Sequence, residues 1–267
     1  MCIRSLAMAR AIWKASLLIG RESLPVKLYS AVQDRGVHFR LLHRTDHLPV
    51  EQRMVDPESG QEVSTKDVVR GIEIDRGLFV MLSDEELRKF LPKPSRDIEV
   101  LRFVPRSAVD PSYYYRPYFL GPDGSQRDYF ALAQALGAEE RVGIARWVMR
   151  NKRYVGALFA HDSHLALVAL HQADEVIPAD QLERPSGPAL KQEERKLAEQ
   201  LVTTLDSEFD PSKLVDEYRE RVLALVQAKA RGKKLKMPAE KLPRPVSDLT
   251  TALARSVRAA KERGVAA

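Results

Sequence analysis

The sequence predicts a mainly β domain followed by a helical arm, and three features carry that reading. From Ala11 to Leu170 apolar residues recur mostly at every second position, in short runs separated by turn residues, as a barrel or sandwich requires. After Asp180 the apolar spacing becomes helical, at Leu190, Leu197, Leu201 and Leu205, beyond a linker that holds Pro185, Gly187 and Pro188. A chain of 267 residues is long for one compact domain and short for two large ones, so a main domain with a smaller appendage is expected.

Strands are expected at Val26 to Ala31, His38 to Arg44, Leu78 to Leu82, Ile98 to Val104 and Tyr114 to Leu120. A three-stranded meander follows. In its first strand Val142, Ile144, Arg146, Val148 and Arg150 share one side, while Gly143, Ala145, Trp147 and Met149 share the other, apolar one. Asn151-Lys152-Arg153 turns into Tyr154 to Phe159, and Asp162-Ser163 turns into Leu165 to Leu170. Two short helices interrupt the sheet. The first is begun by Ser83 with Glu86 three residues on, a pairing in which each side chain satisfies an otherwise free backbone amide; the second spans about Asp128 to Leu136. The aromatic run Tyr113 to Phe119 invites a base-stacking role, but strand alternation hides every second ring and favours core packing.

In the arm, Asp210 before Pro211 marks a helix start, because the carboxylate accepts from free amides and proline lacks the amide that would go unpaired. This helix is expected to run to about Arg231, with Leu214, Tyr218, Val222, Leu225 and Val226 as its stripe and Gly232 as its left-handed stop. Lys233 to Val246, with Pro238, Pro243 and Pro245 among lysines, reads as an extended tether. A last helix, capped by Ser247, gathers Leu249, Ala252, Leu253, Val257 and Ala260 on one face.

The chain has 43 Lys and Arg against 37 Asp and Glu, a net charge of +6 that suits a polyanionic partner. From Arg231 onward ten Lys or Arg face three acids, so the remainder is close to neutral and any contact there needs local clusters. The best such cluster is Arg146, Arg150, Lys152 and Arg153, on one strand and its turn; an exposed hairpin tip is the alternative. Aromatics do not interleave with these cations as in a single-strand stacking platform, which favours duplex backbone.

One cysteine, Cys2, allows no disulfide within the chain and fits a reducing, cytoplasmic location. Met1 to Met8 are too short for a signal or a membrane span and read as a disordered lead, with Met8 as an alternative start. His161 with His164, and His43 with His47, have metal-like spacings but no third ligand nearby. Glu85-Glu86 and Glu193-Glu194 suit helix starts, where they face the positive end of the dipole. No phosphate loop, nucleophile elbow or kinase motif occurs, so no catalytic residue, metal or cofactor is expected.

Arg10-Ala11-Ile12-Trp13-Lys14 and Leu24-Pro25-Val26-Lys27-Leu28-Tyr29-Ser30-Ala31 resemble the opening strands of bacterial Ku, the DNA-end-binding protein of non-homologous end joining. The resemblance continues through Pro57-Glu58-Ser59-Gly60, Val69-Arg70-Gly71-Ile72-Glu73, Phe209-Asp210-Pro211-Ser212-Lys213 and Asp216-Glu217-Tyr218-Arg219, and so spans nearly the whole chain. It implies a Ku-type β-barrel core over residues 9–182 with a bridge at about 40–70 that forms half of a ring, a helical arm over 183–232, and a basic tether and terminal helix over 233–267. It also implies a homodimer that threads onto double-stranded DNA ends in the bacterial nucleoid. Arg40, Arg44, Arg53, Lys66 and Arg70 become candidate phosphate contacts by the same resemblance, beside the barrel cluster. The terminal helix would recruit DNA ligase D through Leu249, Leu253 and Val257. An open, non-threading nucleoid protein that coats duplex DNA is the alternative. Two departures stand out: Asp56 occupies a place where some relatives carry cysteine, so no metal is carried over, and Gly20-Arg21-Glu22-Ser23 replaces a more apolar connection.

Overall fold

Strand alternation from Trp13 onward closes a seven-stranded barrel, seen in a computed structural model that describes residues 10–184, 191–232 and 253–259. The described residues fall into two units, 10–35 with 40–181, and 36–39 with 182–184, 191–232 and 253–259. In the first unit β1 (Trp13–Ile19) turns through Gly20, at φ +60°, into β2 (Glu22–Ser30). The other barrel strands are β5 (Asp97–Pro105), β6 (Tyr114–Pro122), β7 (Arg141–Met149), β8 (Lys152–His161) and β9 (His164–Leu170). Their order around the barrel is β1-β2-β6-β9-β8-β7-β5, and β5 closes it by pairing with β1, the one parallel seam among antiparallel neighbours.

The interior is the apolar side of that alternation. Leu17, Val26, Leu28, Ile98, Leu120, Ala145, Leu158, Leu165 and Leu167 are all at 0% exposure. Trp147 fills the space beside them, its ring stacked 5.4 Å from that of Tyr154. It can lie there because Gly156 has no side chain: a Cβ at that position would stand 2.6 Å from both the indole and the Val168 carbonyl.

The helix α2 (Gln126–Ala138), capped by the Ser125 hydroxyl on the Asp128 amide, begins two residues earlier than the spacing suggests and crosses one end of the barrel. Its Tyr129, Ala133 and Leu136 join the same buried cluster as the inward residues of the strands. The Tyr129 hydroxyl donates to the Leu120 carbonyl and accepts from the Leu165 amide, so one buried group ties the helix to the ends of β6 and β9.

Between β2 and β5 the chain leaves the barrel. Residues 32–69 hold no strand or helix, only isolated pairings of Leu42 with Pro49 and Val55 with Glu62. The strand expected at His38 to Arg44 is therefore corrected: alternation holds only through Phe39 and Leu41 before Leu42 breaks it, and no neighbouring strand supplies a ladder. β3 (Arg70–Asp75) and β4 (Leu78–Leu82) form a separate two-stranded sheet turned by Gly77, at φ +77°. α1 (Asp84–Lys89) follows, with the reciprocal Ser83 and Glu86 cap in place.

In the second unit α3 (Gln192–Leu205) and α4 (Glu217–Ala230) have no buried residue. The long helix expected from Pro211 is also corrected. Asp210 caps only a single 3-10 turn at Pro211–Lys213, the chain is irregular over 214–216, and Asp216 starts α4 by accepting from the Arg219 amide at 2.9 Å. A second carboxylate six residues on wins the cap, and Leu214 falls outside the stripe. Gly232 stops the helix at φ +68°. Residues 253–259 are helical; the expected lead, linker and tether, with Leu190, Ser247, Leu249, Ala252 and Ala260, lie outside the described residues.

Tyr129→Phe removes the one hydroxyl that serves both backbone groups, and each group left unsatisfied costs roughly 1–3 kcal/mol. Urea unfolding should show that loss; a change below about 0.5 kcal/mol, the level of an ordinary surface substitution, would contradict the role assigned to this hydroxyl.

Candidate nucleic-acid interface

The bridge folds without a core by reversing twice on carboxylates. In the first reversal His43 and Val50 amides donate to the Leu48 and Leu41 carbonyls, at 2.8 and 3.1 Å. The Asp46 carboxylate accepts from the Leu48 amide at 3.1 Å and pairs with His43 Nδ1 at 2.9 Å. In the second, Asp56 and Val63 amides donate to the Gln61 and Met54 carbonyls, both at 2.9 Å. Asp56 Oδ1 accepts from the Glu58 and Ser59 amides, both at 2.8 Å, before Gly60 turns the chain at φ +69°. The Leu48 amide and then His43 hold Asp46 below the usual carboxylate range, and the Ser59 and Glu58 amides do the same for Asp56. Asp56 thus organises its turn as a carboxylate. Among the described residues no group of three His, Cys, Asp or Glu is placed to hold a metal ion.

These reversals present cations of two kinds. Arg40, Arg44 and Lys66 are exposed. Arg53 is paired with Glu62 at 2.8 Å, and Arg70 with Asp84 at 3.6 Å, in bridges whose partners are all more than half exposed. Such pairs contribute little, so a phosphate oxygen can replace the carboxylate at small cost.

On the barrel the four clustered cations do not act as one group. Arg146 Nε donates to Glu99 at 2.7 Å on the outer face. Arg153, opposite Val148 in the β7–β8 register, shares with Arg146 an outer cavity also lined by Asp97 and Glu99, where the charges largely cancel. Arg150 and Lys152 stand at the hairpin tip. Arg150 and Asn151 form its two-residue turn, at φ +50° and +61°, the left-handed pair that such a hairpin demands.

Two further cations belong to this end of the barrel and were not singled out by sequence reasoning. Arg116 and Arg150 both act on the Tyr118 hydroxyl, which burial pushes up and these guanidiniums pull down. Arg96 lines a cavity with Arg150. No local signal marks either, because their neighbours come from other strands; the register places both at this end, Arg116 through Tyr114 and Val155 both opposite Leu170 and Arg96 through Ile98 opposite Trp147. The aromatic run is divided: Tyr118 is buried, whereas Tyr115 is 61% exposed and lies 5.0 Å from the His171 ring. His161 and His164 face each other across their hairpin, His161 against Phe119 and His164 beside Ser163.

Of the proposed partner-binding residues, Leu253 is half-buried and Val257 is 7% exposed, and Leu249 lies outside the described residues. Among the described residues no helix is long and apolar enough to cross a membrane.

A family model of the Ku70/Ku80 beta-barrel domain matches residues 18–202. A protein named Non-homologous end joining protein Ku from Anaeromyxobacter sp. strain K is 36% identical over 260 residues, 96% of this chain and 88% of that protein. The protein of the same name from Symbiobacterium thermophilum is 36% identical over 263 residues, 96% of this chain and 65% of its own. That of Bacillus subtilis is 31% identical over 251 residues, covering 92% and 81% of the two.

The two bridge carboxylates set a pH window. Both have folded values lowered below the unfolded one, so their support is full above the ordinary aspartate value of about 3.9 and is lost as pH falls through the depressed values. Amide exchange should show Leu48 and Ser59 losing protection in acid before the barrel amides do. Asp56→Asn should bring the Ser59 loss to neutral pH, and unchanged protection in that variant would overturn the assignment.

Proposed function

The chain belongs to the Ku family of non-homologous end-joining proteins, and from that premise we propose that it acts as a homodimer whose two bridges close a ring around duplex DNA, loaded at an end. The observation that carries the reading is the exposed apolar surface beyond the barrel. Ile72, Ile74, Leu78, Phe79 and Met81, on both faces of the β3–β4 sheet, are each more than half exposed. An isolated two-stranded sheet is marginal in water, and covering each such side chain contributes about 1.5–3 kcal/mol, so a second copy is the partner that this surface suits.

Charge supplies the DNA affinity. Arg40, Arg44 and Lys66 offer cations to phosphates, with Arg53 and Arg70 able to exchange their carboxylates for them, and Arg150 and Lys152 extend the track on the barrel, with Arg153 beside Asp97 and Glu99 contributing less. Arg146, held by Glu99, is the least available of the proposed contacts. Displaced counterions make such binding independent of base sequence and steeply dependent on salt. No covalent step is needed for this role: the dimer protects the end, slides inward and delivers the ligase. Recruitment of DNA ligase D is assigned to the terminal helix, with Leu249, Leu253 and Val257 as anchors. Val257 is covered in the free chain, so docking through it requires that helix to leave its present packing.

Linear and covalently closed plasmid of one sequence separate threading from open coating: gel shifts should show binding to the linear form alone, and equal binding to both would overturn the ring. Arg44→Gln should lower the slope of log affinity against log salt by about 0.9 for each phosphate that is no longer neutralised. Ile74→Asp should give a monomer by sedimentation with its barrel intact, since residue 74 takes no part in the barrel cluster; a dimer of unchanged affinity would rule out this surface. Truncation after Gly232 should keep dimerisation and lose ligase stimulation, and full stimulation by the truncated protein would remove the recruitment role.

A further inference from the structure

α2 closes one end of the barrel, and the other end holds a cavity of about 380 Å³ lined by Trp13, Ser95, Arg96, Met149, Arg150 and Asn151. That volume lies in the range of small-molecule sites. Its lining combines one indole with two guanidiniums, a hydroxyl and a carboxamide. Among the described residues neither Arg96 nor Arg150 makes an ion pair or a side-chain hydrogen bond to protein. The nearest acid in sequence, Asp97, accepts from the Ser95 hydroxyl at 2.7 Å and lines the neighbouring outer cavity instead.

We propose that this end of the barrel is a single-nucleotide site, with a phosphate held between Arg96 and Arg150 and a base lying against Trp13. Guanidinium groups match phosphate oxygens in geometry and charge, and an indole offers its face to any base. The turn conformation is a second, independent observation. Arg150 is held in the left-handed region at φ +50°, which favours glycine and asparagine and is costly for a long side chain. Asn151, the next turn residue, suits that region without help; arginine at 150 gains nothing local from it. An arginine in this place puts its guanidinium at the rim, where a ligand phosphate could use it.

The ligand is a phosphate monoester attached to a planar base, and it can come from a free nucleotide or from the last nucleotide of a DNA strand. The chain has two tryptophans, and only Trp13 lines the cavity, so intrinsic fluorescence of the full-length protein reads the site. Thymidine monophosphate should quench it saturably, with thymidine and inorganic phosphate each weaker by about tenfold, the worth of one charge-assisted contact or one stacked base. Trp13→Phe should remove the quenching and weaken binding in calorimetry. Arg150→Asn should weaken binding about tenfold while raising the melting temperature, because asparagine suits the turn; a purely structural arginine would not separate the two readouts.

Absence of saturable quenching, quenching unchanged by Trp13→Phe, or full affinity in Arg150→Asn would each overturn the proposal. Duplexes that compete with the nucleotide only when 5′-phosphorylated would assign the site to strand ends, and absence of competition would assign it to free nucleotides; either result supports the site. The test is independent of the ring. Wild-type protein that distinguishes linear from closed DNA yet shows no nucleotide quenching would sink this inference alone.

Discussion

The parallel pairing of β5 with β1 is the constraint on which the rest of the first unit depends. Parallel neighbours cannot be joined by a tight turn. With β2 as the return strand, β2 ends and β5 starts at the end where β1 began, where the Ser16 amide meets the Arg96 carbonyl at 2.8 Å, and between them the chain makes one excursion outside the barrel. Residues 31–96 are that excursion, and they hold the bridge, the β3–β4 sheet and α1. The same constraint sorts the two ends of the barrel. α2 closes the end where β1 meets β2, while the excursion's roots, the β7–β8 hairpin tip, Trp13, Arg96 and Arg116 gather at the other.

That sorting explains how a chain nearly neutral before residue 231 can present a polyanion with a coherent surface. The barrel balances many of its outer charges: Lys14 and Lys27 share Asp123 at 3.0 and 2.6 Å, and Arg146 is held by Glu99. The hairpin tip sets Arg150 and Lys152 side by side, and the bridge carries Arg40, Arg44 and Lys66 exposed among its own carboxylates. Local accumulation, with compensation elsewhere, gives a usable field without the self-repulsion of a uniformly basic surface.

Much of the barrel was legible because its signal is local. The alternation through Ala145, Trp147 and Met149 and the Ser83–Glu86 cap depend on residues within a few positions of one another. The β7–β8 turn, expected at Asn151 to Arg153, falls one residue earlier at Arg150 and Asn151, with Lys152 and Arg153 already in β8. The errors arose where a partner decides. His38 to Arg44 alternates only as far as Leu41 and has no neighbouring strand, and Asp210 lost its helix to Asp216, a competition between two good caps that spacing cannot settle. The site divides in the same way. Arg150, Lys152 and Arg153 are visible as a run, whereas Arg146 could not be known to be engaged, because Glu99 is 47 positions away. Arg96 and Arg116 could be placed at the rim only through the register of the closed sheet.

Exposed apolar surface and unpaired cations on the same excursion have a joint consequence. A segment without a core is ordered only by its own turns, and the Asp46 and Asp56 reversals fix short loops, not the path between them. In the proposed dimer the second copy supplies the missing contacts, and DNA inside the ring binds only the closed form. Any ligand that prefers one state stabilises it in proportion to its occupancy, so duplex ends tighten the dimer and dimerisation tightens the grip on DNA by the same factor. The excursion is then left weak on its own for a physical reason: a bridge fully stabilised within one chain would hold its shape without a partner, and closing around an end would gain nothing from the pairing.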